Sequence, residues 1–240
     1  MPGAGPCLSV SGLTKRYGRL LALDGVSFEV RRGQILGVIG PNGAGKTTLL
    51  ECLVGRLSTD GGTITEAGRG PTPSASSSAV FYLPDGIAPW PSQTVRWALD
   101  FVVGFLSGRV SALRDTIRDL SLAPFLDQRI GTLSKGQRKR TLLAIGLLAP
   151  QPVLVCDEPF DGLDLRQTRE VAGLLRRLAA EGRTFVLSIH QIADAATVCD
   201  RFVLISAGRV CGEGTIEELA TRAGMPARPV DLPEVFLALT

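Results

Sequence analysis

The chain has 240 residues, 45% hydrophobic and 20% charged, a balance that excludes a disordered chain and suffices for one large core or two fused lobes. The formal net charge is +3, so charge alone points neither to a nucleic-acid surface nor to an acidic partner. The apolar windows FVVGFL and TLLAIGLLAP are shorter than the roughly 18 residues a membrane span needs, so the chain is not expected to cross a bilayer alone.

In chain order, the opening MPGAGPC lacks a basic region followed by an apolar core, and no secretory signal is expected. VSFEV and QILGVIG read as strands closed by glycine, and KTTLLECLVGRL then reads as a helix. Gly61 to Ala79 is rich in Gly, Pro and Ser and reads as a strand end followed by a flexible surface loop. After the strand AVFYLP, the stretch from Gly86 to Pro150 turns helical, with apolar residues at three-to-four spacing in TVRWALDFVVGFL, VSALRDTIRDL and KRTLLAIGLLA and no clear strand. PVLVC restores a strand. A helix over Leu165 to Glu181 follows, with Val171, Leu174, Leu175 and Leu178 on one face, and then the strand TFVLSI. RFVLIS and GRVCGEG suggest an antiparallel closing pair, giving an α/β core interrupted by a helical insertion. The five cysteines, Cys7, Cys52, Cys156, Cys199 and Cys211, are widely spaced without a C-x-x-C pair, which fits a reducing compartment.

GPNGAGKTT, comprising Gly40, Pro41, Asn42, Gly43, Ala44, Gly45, Lys46, Thr47 and Thr48, fits G-x-x-x-x-G-K-[ST] with a strand before it and a helix after it. The glycines turn backbone N–H groups inward onto phosphates, Lys46 reaches the terminal phosphates, and the helix starting near Lys46 points its positive end at the anion. Thr47 offers a hydroxyl to Mg²⁺. VLVCDEPFDGLD, Val153 to Asp164, then ends a buried strand with a cluster of carboxylates. Ligands of such a sheet sit outside the carboxyl ends of the strands. Asp157 is therefore placed to hold Mg²⁺ through water and Glu158 to orient or deprotonate the attacking water; the plainer alternative is a strand-ending Asp that caps a helix. Guanine selection commonly uses an N-K-x-D loop, and Asn42 is the only asparagine in the chain. Small-molecule kinases stay open at this point.

LSKGQRKR, Leu133 to Arg140, resembles the signature of ATP-binding cassette (ABC) ATPases, usually L-S-G-G-Q. Ser134, Lys135, Gly136 and Gln137 would begin a helix, where a hydroxyl and free amide hydrogens form an anion site; the alternative is an N-capped helix with a basic solvated face. The resemblance, from about Leu8 to Leu239, implies that this site binds the γ-phosphate held by a partner's P-loop, so that two chains sandwich two ATP molecules. It further implies that Tyr17 in KRYG stacks on adenine, that Asp164 in FDGLD touches the opposing subunit while capping the next helix, and that His190 contacts the γ-phosphate. The implied fold is a P-loop NTPase core with a mixed sheet, an antiparallel β portion and an inserted helical subdomain: core 8–85 and 150–225, helices 86–149, tail 226–240.

The resemblance implies an ATP- and Mg²⁺-dependent ATPase subunit of a bacterial exporter of drugs, polysaccharides, haem-related cargo or ions. Its expected partners are a second ATPase subunit, as a homodimer, and a separate transmembrane permease docking after Asp85. It would lie in the cytoplasm against the inner face of the membrane, without nucleic acid. The alternative is a non-transport ABC ATPase acting on nucleic acid or ribosomes. Two positions depart from the family pattern. Asp85 stands where a glutamine normally meets Mg²⁺ or the attacking water, with Gln93 as a lesser substitute, and Lys135 replaces the first signature glycine. Asp161 is an extra charge read as tuning the subunit interface.

Overall fold

The structure, a computed structural model, describes residues 5–75, 78–105, 110–225 and 231–240, without the side chains of 193 and 194. Residues 1–4 of the opening stretch, 76–77 of the Gly/Pro/Ser-rich segment, Leu106 and residues 226–230 of the tail lie outside the described residues. The elements in order are β1 (Pro6–Tyr17), β2 (Leu20–Arg31), β3 (Ile35–Ile39), α1 (Lys46–Leu53), β4 (Gly61–Glu66), β5 (Pro71–Thr72), β6 (Val80–Leu83), α2 (Val95–Phe105), α3 (Leu113–Asp119) and α4 (Lys135–Leu148). There follow β7 (Val153–Asp157), α5 (Leu165–Ala180), β8 (Thr184–Ile189), α6 (Ile192–Val198), β9 (Arg201–Ser206), β10 (Arg209–Gly214), α7 (Ile216–Arg222) and α8 (Leu232–Leu239).

Two sheets form. β2-β1-β4-β5 is antiparallel, and β10-β9-β3-β8-β7-β6 is parallel except for its edge strand β10. Every residue of β3, β7 and β8 is buried, the pattern of strands covered on both faces. Pleating sends alternate side chains to opposite layers. Leu36, Val38, Val155 and Val186 pack with Leu49, Leu50 and Leu53 of α1 and with Leu13, Phe28 and Ile64 of the antiparallel sheet. Ile35, Ile39, Leu154, Cys156 and Leu187 pack instead with Leu143 and Leu147 of α4 and Val171 and Leu175 of α5. Truncating Leu175, which is fully buried, to alanine would cost about 2–5 kcal/mol.

Several elements differ from the sequence reading. α1 stops at Leu53 because Gly55 adopts φ +73, the left-handed turn that ends a helix. The Gly/Pro/Ser-rich segment carries the β4–β5 pairing of Ile64 with Thr72, and the buried Ala75 donates its N–H to Leu53 O at 2.8 Å, so this part is tied down. The helices α6, α7 and α8 add a layer whose Leu219, Leu232 and Val235 join the α4/α5 side of the core. Among the described residues, no helix is long and apolar enough to cross a membrane.

Candidate functional site

The loop between β3 and α1 is shaped by contacts that admit only glycine. A Cβ on Gly40 would lie 2.2 Å from the Ile205 carbonyl, and Gly45, the N-cap of α1 at φ +105, would meet the Ala22 carbonyl at 2.7 Å. The chain therefore wraps closely around the start of α1, whose first N–H groups have no partner within the helix. Lys46, 6% exposed, donates to Gly40 O at 2.8 Å and Pro41 O at 3.3 Å, and stands 4.0 Å from Glu158 Oε1. Thr47 Oγ1 donates to Asp157 Oδ2 at 2.9 Å, joining α1 to the end of β7.

The carboxylates of VLVCDEPFDGLD separate by environment. Asp157 is buried; its Oδ1 accepts from the Ser188 hydroxyl. In the parallel register Asp157 faces Ser188, whose Oγ also accepts from Glu158 N at 3.0 Å. Glu158 adopts φ +49, a conformation that costs a non-glycine residue about 1–3 kcal/mol and persists where its surroundings fix it. Its Oε2 lies 2.6 Å from His190 Nδ1 and accepts from His190 N at 3.3 Å. Asp164 caps α5 by accepting from Gln167 N at 2.8 Å, in a capping box.

Asp161, the extra acid, has its partner in Lys135, the replaced signature glycine: Lys135 Nζ lies 2.7 Å from Asp161 Oδ2. The ammonium holds the Asp161 carboxyl below its usual range, and the carboxylate raises Lys135. The lysine stem runs where a Cβ on Gly162 would sit, 2.6 Å from Lys135 Cγ. Ser134 is the N-cap of α4, with Oγ accepting from Gln137 N at 3.2 Å and its own N–H donating to Gln137 Oε1 at 2.9 Å. Gly136 packs so closely on this loop that a Cβ would lie 2.9 Å from Gly162 O.

Tyr17, Asn42, Gly43, Gly45, Lys46, Thr47, Thr48, Asp85, Asp157 and Glu158 line one cleft of about 690 Å³. Tyr17 is 46% exposed at the end of β1, its ring available to a planar ligand. Gln93, Ser134, Lys135, Gly136, Gln137, Asp164 and His190 do not line this cleft. His190 borders a neighbouring recess of about 180 Å³ shared with Glu158 and Asp161. Among the described residues, no group of three or more His, Cys, Asp or Glu could hold a metal by itself. The hard oxygens of Thr47 and Asp157 fit Mg²⁺, which takes one or two protein ligands and completes its shell with phosphate and water.

Sequence reading missed two residues here. Ser188 is the one polar side chain after the threonine of TFVLSI, two residues before His190. Lys139, not singled out among the basic residues of LSKGQRKR, is 6% exposed and donates to Asp85 Oδ1 at 2.7 Å and Glu158 O at 2.8 Å.

A phosphate loop at the C-terminal edge of a parallel sheet, facing a strand-end Asp-Glu pair with a histidine beyond it, defines a P-loop nucleotide hydrolase. The chain belongs to the ABC transporter family, whose pattern matches residues 23–161, and it is an ATP-binding, ATP-hydrolysing subunit of such a transporter. It is 37% identical over 231 residues to Nod factor export ATP-binding protein I of Ralstonia nicotianae, covering 92% of this chain and 71% of that one. It is 33% identical over 247 residues to doxorubicin resistance ATP-binding protein DrrA of Mycobacterium tuberculosis (96% and 74% covered). To phosphonates import ATP-binding protein PhnC 1 of Natronomonas pharaonis it is 37% identical over 222 residues (85% and 91% covered). A solved ATP-binding subunit of an ABC transporter superposes with a TM-score of 0.86 at 25% identity, covering 97% of this chain and 99% of that one.

Proposed function

We propose that this chain powers export through a separate transmembrane permease by Mg²⁺-dependent ATP hydrolysis between two copies of itself, at the cytoplasmic face of the membrane. The observation that carries the reading is the contact of Glu158 with His190, 2.6 Å, beside a cleft lined by the P-loop and Tyr17. In this reading Tyr17 stacks on the adenine, the amides of 40–48 and Lys46 hold the phosphates, and Thr47 and Asp157 hold Mg²⁺. The metal supplies charge neutralisation on the phosphate oxygens. Glu158 accepts the proton of the attacking water, and His190 orients that carboxylate and reaches the γ-phosphate. Asp85 serves beside them as the glutamine substitute, toward water or metal.

The two-chain arrangement is supported by the signature's position. Ser134, Gly136 and Gln137 form a capped helix start that does not line this chain's own cleft, so their anion site suits phosphate carried by a second copy, with Asp164 at the same junction. A docking face for the permease is supported by an aromatic ladder between residues 90 and 105. Trp90, Trp97, Phe101 and Phe105 have neighbouring ring centroids 5.0 to 5.6 Å apart, and Phe105 is 73% exposed. Export is supported by the names of the first and second relatives above, and the importer relative supplies the second reading. The relatives named above are transporter subunits, which does not favour nucleic acid or ribosomes as a partner.

The test is Glu158→Gln. ATP should bind as in the wild type while turnover falls about 10²- to 10⁴-fold; wild-type turnover would remove Glu158 from the role of base. Vesicles containing a permease encoded beside this chain, loaded with cargo on either face, separate export from import.

A further inference from the structure

We infer that Lys139 is a positioning residue of the hydrolytic centre, its ammonium neutralising Asp85 at the cleft wall and holding the main-chain carbonyl of Glu158. This rests on the ATPase reading above and concerns the two departures at its edge. Lys139 lies one helical turn after Lys135 on α4, so both lysines project from the same side of the signature helix. The outer one, itself exposed, binds the half-buried Asp161, and the inner one is buried between Asp85 and Glu158. A buried ammonium with no counter-charge is costly and pairs wherever it can. Among the described residues, Asp85 is the one carboxylate within ion-pair distance of Lys139 Nζ, at 2.7 Å.

The pairing changes what Asp85 presents to a nucleotide. Asp85 lines the cleft with Lys46, Thr47 and Glu158, and a bare carboxylate there would repel a terminal phosphate. Tied to Lys139, it becomes half of a neutral pair. The second bond acts on Glu158. Its left-handed backbone is fixed on the amide side by Ser188, through Oγ at 3.0 Å and O at 3.2 Å, and on the carbonyl side by Lys139 Nζ at 2.8 Å and Asp161 N at 3.2 Å. Without the lysine only the longer, neutral Asp161 bond holds that carbonyl, and the carboxylate is held less firmly against His190. Lys139 therefore links three segments that must act together: the turn after β6, the signature helix and the catalytic glutamate.

The two bonds make separable contributions, and a double-mutant cycle on the full-length ATPase reads them. Lys139→Met should raise the ATP KM about tenfold, since Asp85 is left charged beside the phosphate, and lower kcat about 10²-fold, since Glu158 loses the charged one of the two donors to its carbonyl. Adding Asp85→Asn should return KM to within about threefold of wild type while kcat stays low. Lys139→Gln, which keeps an amide donor and much of the volume, should recover kcat more than KM, and it carries the same cycle if Lys139→Met does not fold. Equilibrium ATP binding and thermal melting of each variant distinguish repositioning from general destabilisation. Additive effects on both constants, single variants with wild-type constants, or kcat losses that merely track melting temperature would overturn the assignment. If the wild type itself does not hydrolyse ATP, the ATPase reading fails instead.

Discussion

Arg183 gives the sharpest stability test, because it holds the far end of the helix that begins with the signature. It immediately precedes β8 and is 3% exposed. Its guanidinium donates to Gly146 O at 2.6 Å, to Leu147 O and to Ala149 O at 3.1 Å, the last carbonyls of α4 and its cap. A cation at a helix C-terminus is favourable by up to about 2 kcal/mol in a partly buried site. Hydrogen bonds from a charged donor contribute about 1.5–3 kcal/mol each and are not additive. Replacing Arg183 by methionine keeps the apolar stem but leaves those carbonyls without the donor. The expected loss is about 3–5 kcal/mol, from several non-additive bonds to a charged donor and from buried carbonyls left unsatisfied at about 1–3 kcal/mol each. For a chain of this size each kcal/mol moves the midpoint by about 2–4 °C, so the melting temperature should fall by about 6–20 °C. Circular dichroism melts of wild type, Arg183→Met and Arg183→Lys measure it, with the lysine variant in between because a point charge cannot serve all the carbonyls. A fall of less than about 2 °C for Arg183→Met would refute the reasoning.

Other outcomes follow from the same geometry. Ser188→Ala removes the donor to Asp157 and one acceptor of Glu158 N, and should cut kcat about 10- to 100-fold with nucleotide affinity little changed; a kcat within twofold of wild type would show that Ser188 holds nothing needed. Asp161 has its pKa lowered from 3.8 and Lys135 raised from 10.5 by their contact. The pair's stabilisation is therefore present above the ordinary Asp value, lost as pH falls through the depressed one, and lost again as pH rises through the raised lysine value. The melting difference between wild type and Asp161→Asn should thus be flat from about pH 6 to 9 and shrink below about pH 4; a difference that changed across neutrality would contradict the pairing. Burial pushes the Cys156 thiol up to about 12 and Cys52 up to about 11, so a polar maleimide at pH 8 should label Cys211 and spare both. Labelling of Cys156 at the rate of a free thiol would contradict its burial.

How much of this was legible in the sequence depended on how local the chemistry was. The P-loop could be read because Gly40, Gly45, Lys46 and Thr47 meet their ligand within one turn and one helix start, and the Asp-Glu pair because it ends an apolar run. The capping boxes at Ser134 and Asp164 were equally local, each closed by a glutamine three residues on. Lys139 and Asp85 are 54 positions apart and meet only once α4 packs under β6; from sequence, Lys139 was one more basic residue in LSKGQRKR. Asp161, read as tuning the subunit interface, has a partner within its own chain that was hidden for the same reason: Lys135 occupies the signature position that departs from the family pattern. Ser188 sat unmarked in an apolar strand, its role visible only in the parallel register with Asp157. The long first strand was obscured by the irregularity between Val10 and Leu13, where Gly12 at φ +63 breaks the alternation.

The claim at the centre is that two copies close around ATP with the signature of one facing the P-loop of the other. Light scattering of Glu158→Gln in Mg²⁺ with ATP, and then with ADP, measures it directly. The expected result is a dimer with ATP, a monomer with ADP, and loss of the ATP-driven dimer when Ser134→Asp, which keeps an N-cap acceptor, places a carboxylate at the signature's anion site. A monomer that binds ATP yet never dimerises, or a dimer indifferent to Ser134→Asp, would contradict it.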